Sequence, residues 1–223
     1  MSSTPTDPFA FLEFPKMGRL SREVIITEKI DGTNAQLFIT LGPKNHPKAV
    51  AHRFDPVDGG TDLIMLAGSR TRWITPADDN FGFARWAAEH AEELWGLGLG
   101  RHYGEWWGSG IQRGYGLPKS EKRLSLFNVV RWCLHGETPQ RIPTADPRLE
   151  KYQDVLPPCV GLVPILGRGI GFDGVDNILA DLALHGSWAA PGFMKPEGVV
   201  AFHTAGNVGF KKTLNGDAAK GPR

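Results

Sequence analysis

TEKIDGTNAQLFI, residues 27–39, reads as a strand, a tight turn and a second strand, with Lys29, Asp31 and Gly32 at the turn. The β-rich run REVIIT, 22–27, leads into it. A glycine at such a turn lets the backbone come close to a ligand. A lysine held on a rigid turn beside a strand can be aimed at a phosphorus atom as a nucleophile, whereas one on a long loop cannot. Asp-Gly is also an ordinary hairpin pair, so the meaning of Lys-x-Asp-Gly rests on what surrounds it.

Outward from the turn, strands are predicted near 22–29 and 33–41, and LIMLAGSR forms another that ends near Arg70. GPKNHPKAVAHRFDPVDGG, 42–60, reads as a loop or insertion. NFGFARWAAEHAEELWG, 80–96, spaces Phe83, Trp86, Ala87, Leu94 and Trp95 as one helix that Gly96 ends. Strands follow near 100–107, 122–131 and 159–166, then a helix over 173–186 with Asp173 as N-cap and Gly186 as stop. GVVAFHT and NVGFKKTL close the pattern as a strand pair. The class is α+β, mostly antiparallel sheet with two covering helices. One domain is expected over 9–214, between a disordered N-terminus at 1–8 and a flexible tail at 215–223. GSGIQRGYG, 108–116, has neither the Rossmann nor the P-loop spacing.

With 223 residues, 41% hydrophobic and 22% charged, the chain has the composition of an ordinary globular protein. Its net charge of +1 neither predicts nor excludes a nucleic-acid partner, which needs only a local basic face. Seven tryptophans exceed what packing ordinarily needs. Cys133 and Cys159 are too few and too far apart for a metal knuckle or a disulfide scaffold, and read as buried thiols. With neither a signal-like start nor a long apolar run, a cytoplasmic monomer without membrane contact is expected.

Polar groups cluster at the strand ends: Ser69 and Arg70, Glu105 in HYGEWWG, Glu197 in PEGVV, and Lys211 and Lys212 in FKKTL, with Phe127 in the strand LSLFNVV. Each has a bland reading: surface charges for the acids and lysines, core packing for the phenylalanine. Together they suit a phosphate-handling cleft. Cations match a triphosphate, carboxylates hold a ribose hydroxyl and a divalent metal, and an aromatic ring stacks on a base.

These motifs, taken in order, resemble the covalent nucleotidyltransferase superfamily of ATP-dependent RNA and DNA ligases and mRNA capping enzymes. The RNA ligase branch is the most similar. The resemblance implies an antiparallel-sheet, ATP-grasp-like adenylation domain with ATP and Mg2+ (or Mn2+) as cofactors. EKIDGTN, 28–34, matches the motif of the adenylated lysine, here Lys29, with Asp31 and Ile30 beside it, Glu28 near adenine and Asn34 near the phosphates. By the same resemblance Arg70 lies near the phosphates and the 3′-OH strand, and Glu105 binds ribose. Phe127 stacks on the base, Glu197 joins Glu105 at metal and nucleotide, and Lys211 is the final phosphate lysine. Lys212 is adjacent to Lys211 and points to the opposite strand face. About ten residues follow this motif, so no OB-fold is expected.

The activity implied is an ATP-dependent RNA ligase that joins 5′-phosphate and 3′-hydroxyl RNA ends, as in RNA repair. A lysyl-AMP forms first, and AMP then passes to the RNA 5′ end. Lys29 has to be neutral to attack, and nearby cations, metal and partial burial are expected to favour that form. The alternatives are a minimal DNA or nick ligase acting on nicked duplex, and an inactive nucleotide- or RNA-binding protein. Candidate RNA contacts are Arg70, Arg72, Trp73, Arg113, Lys119, Lys122 and Arg123, with 114–123 as a substrate loop or connector.

Overall fold

A computed structural model describes residues 17–54, 62–132 and 156–216. Two sheets organise them. β1 (Glu23–Lys29) lies inside a four-stranded antiparallel sheet, between β9 (Ile165–Ile170) and β10 (Gly198–His203), with β11 (Val208–Thr213) on the outer edge of β10. β2 (Thr33–Gly42) lies inside the second sheet, between β4 (Asp62–Gly68) and β6 (Gly100–Gly108). That sheet extends to β3 (Ala49–Arg53) on one side and to β7 (Lys122–Leu126) and β8 (Val160–Leu162) on the other, while the short β5 (Trp73–Ile74) pairs with β4. The pairs are antiparallel except β7 with β8. The strands flanking the Asp-Gly turn are therefore not a hairpin. Residues 30–32 carry the chain from one sheet to the other.

Burial follows the alternation of side chains along each strand. Ala35, Leu37 and Ile39 of β2 face a core shared with Phe83, Leu94, Trp95 and Trp106. Val24 and Ile26 of β1 pack with Val199, Ala201 and Leu182. Ile25 and Ile30 turn the other way, into a third cluster with Trp107, Tyr115 and Val163 that joins the two sheets. Each aliphatic side chain so buried contributes about 1.5–3 kcal/mol relative to exposure. The tryptophans are largely accounted for by packing: Trp95, Trp106, Trp107 and Trp132 are buried, Trp73 and Trp86 are half-buried, and Trp188 is exposed.

Several boundaries differ from expectation. β3 lies within the stretch read as a loop, whose residues 55–60 fall outside the described set. The single helix of 80–96 is instead α1 (Phe83–Glu89), α2 (Ala91–Leu94) and a 3-10 turn, broken at His90. Gly82 is the N-cap of α1, and the Asp79 carboxylate accepts the first-turn amides of Ala84 at 2.8 Å and Arg85 at 3.1 Å. The strand expected over 122–131 stops at Leu126. Asn128 accepts the Arg131 amide at 3.0 Å and so starts α3 (Val129–Trp132), which leaves Phe127 in the connection. Pro164 falls between β8 and β9, and splits the predicted 159–166 strand between the two sheets. α4 (Val175–His185) has Gly174, not Asp173, as its N-cap, while Gly186 ends it with φ 84°.

Cys159 is half-buried rather than buried; burial, with Glu93 nearby, pushes its thiol up to about 12. Cys133, the N-terminal segment 1–8 and tail residues 217–223 lie outside the described residues. No described helix is long and apolar enough to cross a membrane.

Candidate active site

Lys29 is the last residue of β1, and its backbone pairs with Gly198 at the start of β10. That register sets Glu197, the residue before Gly198, beside the lysine, with Nζ to Oε2 at 2.5 Å. The nearest charged partner of Lys29 is thus a carboxylate, where cations were expected.

Past Lys29 the turn is fixed from β6 and from the loop that follows it. The Asp31 amide donates to Tyr115 Oη at 2.8 Å, and Arg113 Nε pairs with the Asp31 carboxylate at 2.8 Å. Arg113 Nη1 also donates to the carbonyls of Lys195 at 2.9 Å and Pro196 at 3.2 Å. One guanidinium therefore ties the lysine turn to the approach to Glu197. The Gly32 amide donates to Glu105 Oε1 at 3.0 Å, while Asn34 Nδ2 donates to Oε2 at 3.4 Å. Gly32 is needed for a close approach to protein rather than to a ligand: a Cβ there would stand 2.5 Å from the Trp106 carbonyl oxygen.

The buried Glu105 carboxyl is held up at about 7. Burial is the main cause, and Glu197 and Asp31 add to it; the Gly32 hydrogen bond and Lys29 act in the opposite direction.

A cavity of about 1010 Å3 opens between the sheets. Thr27, Lys29, Ile30, Glu105, Phe127 and Lys211 are among the residues lining it. Thr27 and Lys211 both pair with Val200, and cross-strand partners share a face. Lys211 stands at the exposed rim, and Phe127 is 43% exposed. Asn34 also borders the cavity.

Two expected nucleotide contacts lie off the cavity, and a third, Glu28, borders it with its carboxylate already engaged. Lys212 pairs with Val199 on the opposite face and forms an ion pair with Asp176 of α4. The Glu28 carboxylate is 1% exposed and accepts Ser187 Oγ at 2.6 Å and the amides of Trp188 and Ala189 at 2.8 and 2.9 Å. Its oxygens hold a loop rather than a base. Arg70 is exposed and does not line the cavity.

Most of the expected RNA contacts are engaged within the protein: Arg72 with Asp78, Arg113 with Asp31, Arg123 with Glu121, and Lys122 with the Phe81 carbonyl. The segment 114–123 includes the anchor Tyr115, which packs on Trp107 and Phe193. Sequence reading did not single out Tyr115 or Ser187, since their partners are 84 and 159 residues away. Gly-Tyr-Gly at 114–116 offered one signal, for all three residues take positive φ.

A lysine amine and two carboxylates thus meet at the junction of two sheets, beside a cavity of about 1010 Å3. The RNA ligase family model matches residues 22–212, and the chain belongs to that family. Solved structures of Naegleria gruberi RNA ligase are similar. A point mutant with ATP and Mn is 18% identical with a TM-score of 0.50, and the match covers 88% of this chain and 51% of that one. The same ligase with PPi is 19% identical with a TM-score of 0.48, over 87% of this chain and 50% of that one. The likeness is one of fold, and this chain spans about half the length of those structures. No curated protein matches the chain.

Proposed function

We propose that this chain is an ATP-dependent RNA ligase that seals 5′-phosphate and 3′-hydroxyl RNA ends through a lysyl-AMP on Lys29 and an adenylylated RNA 5′ end. The observation that carries the reading is Lys29 itself, ending a central strand at a cavity of about 1010 Å3 with its amine 2.5 Å from Glu197.

In the first transfer the Lys29 nitrogen bonds to the α-phosphorus of ATP, and pyrophosphate leaves. The amine has to shed a proton first, and Glu197 is the acceptor in reach. Asp31, bound by Arg113, acts by fixing the turn. Glu105 keeps lone pairs for a ribose hydroxyl beyond those given to Gly32 and Asn34. Phe127 offers adenine a ring face, and Lys211 offers the phosphates a charge. Arg70, free of any ion pair among the described residues, is available to the phosphates or the 3′-OH strand. In the second transfer AMP moves from Lys29 to the RNA 5′-phosphate. In the third a 3′-hydroxyl attacks that phosphate and AMP departs.

Among the described residues no group of three acidic, histidine or cysteine side chains gathers as a metal cage. Two carboxylates, Glu197 and Glu105, nonetheless fit magnesium or manganese, which keep waters and use phosphate oxygens. Such an ion would neutralise phosphate charge and weaken the hold of Glu197 on Lys29.

The test is a joining assay with ATP, magnesium and an RNA bearing 5′-phosphate and 3′-hydroxyl ends. Joined product with release of AMP is expected, and Lys29→Ala should reduce it to background. Joining that survives in Lys29→Ala would refute the proposal.

A further inference from the structure

We infer that the open face of the seven-stranded sheet, running outward from the cavity wall that Tyr103 and Arg101 help to form, is a track for single-stranded RNA on which bases stack against Tyr103 and Trp73 and Arg101 meets a phosphate. The inference rests on the ligase reading, which supplies the polynucleotide.

Cross-strand register puts Gln36 opposite Tyr103 and Phe38 opposite Arg101, on the face that Asn34 and Glu105 share. The face is therefore continuous with the site. It is also aromatic where an ordinary solvent face would be polar. Tyr103 is 52% exposed, and Trp73 stacks on Phe38 with ring centroids 6.1 Å apart. The ring has a bed made for it. A Cβ on Gly68 would stand 3.1 Å from Trp73 Cε3, so glycine there lets the indole lie flat on the sheet.

Charge identifies the occupant. Arg101 is exposed and makes no ion pair among the described residues, unlike Arg72, Arg113 and Arg123. Its guanidinium rests 4.1 Å from the Phe38 centroid and 5.4 Å from that of Trp73, which fixes the cation on this face. An exposed Tyr103 and a half-buried Trp73, beside a cation with no ion pair among the described residues, match a strand that presents base faces and phosphates in turn.

The test is fluorescence anisotropy with a short labelled oligouridylate lacking a 5′-phosphate, which can bind but cannot be adenylylated. Trp73→Ala should weaken binding about tenfold, as expected for loss of one stacked base. Labelling of Lys29 by ATP without RNA should stay at the wild-type level, which also shows that the variant is folded. Tyr103→Ala, checked by its unfolding temperature, should weaken binding to a similar degree. Unchanged oligouridylate affinity in both variants overturns the track. Failure of the wild type to label Lys29 while both variants lose RNA affinity would instead overturn the ligase chemistry and leave the track standing.

Discussion

Glu105 is 8% exposed, with the Gly32 amide on one oxygen and the Asn34 amide on the other. Burial raises its pKa from 4.5 to about 7, so in the folded, ligand-free protein it takes up a proton far more readily than in the unfolded chain. The sign of the linkage follows. Glu105 favours the fold fully below about pH 4.5, and that contribution is lost as pH rises through about 7. Glu105→Gln removes the titration. Comparing thermal unfolding of wild type and Glu105→Gln without metal or nucleotide, the wild type should lose stability relative to the variant across that window, and the difference should level off above it. Parallel curves would show that the carboxyl titrates normally. Glu105 was singled out from GEWWG together with the family resemblance. Its altered protonation was not, because it arises from burial in the folded chain, with Glu197 and Asp31, more than 73 residues away in sequence, adding to it.

At the scale of elements, the two inter-sheet crossings do the positioning. Residues 30–32 take the chain from β1 to β2, and Pro164 marks its return from β8 to β9. Arg113 braces the first crossing against 195–196, which makes it a positioning residue for Lys29 and Glu197. A charge-assisted hydrogen bond is worth roughly 1.5–3 kcal/mol, so Arg113→Ala should slow adenylation of Lys29 roughly ten- to a hundredfold while changing the KM for ATP little. Added guanidinium should restore part of the rate. A wild-type rate in Arg113→Ala, or loss that appears only in KM, would contradict the role.

Strand positions were largely readable, because apolar alternation and glycine punctuation are local signals. The sheet assignment of β1 and β2 was not, since Lys-Ile-Asp-Gly looks the same as a hairpin turn and as a crossing. Asn128 and His90 explain the shortened strand and the divided helix, through capping and backbone geometry that hydrophobic spacing does not carry.

For the molecule as a whole, each sheet has its own core, and the cluster around Ile25, Ile30, Trp107 and Tyr115 joins them beneath the cavity. Lys29 and Glu197 belong to one sheet and Glu105 to the other, so the rigidity of that joint sets the distance between the Lys29 amine and the Glu105 carboxylate. The order of motifs along the chain was sufficient to anticipate this gathering. The faces of individual side chains needed three dimensions: the Glu28 carboxylate is held by the 187–189 loop at the cavity wall, and Lys212 turns to α4. The most direct test of the central claim is to incubate the protein with magnesium and ATP labelled at the α-phosphate, denature it, and map the modified peptide. The account predicts an acid-labile adenylate on Lys29 that is absent from Lys29→Ala. Folded wild-type protein that carries no label, or label mapping to another residue, would contradict it.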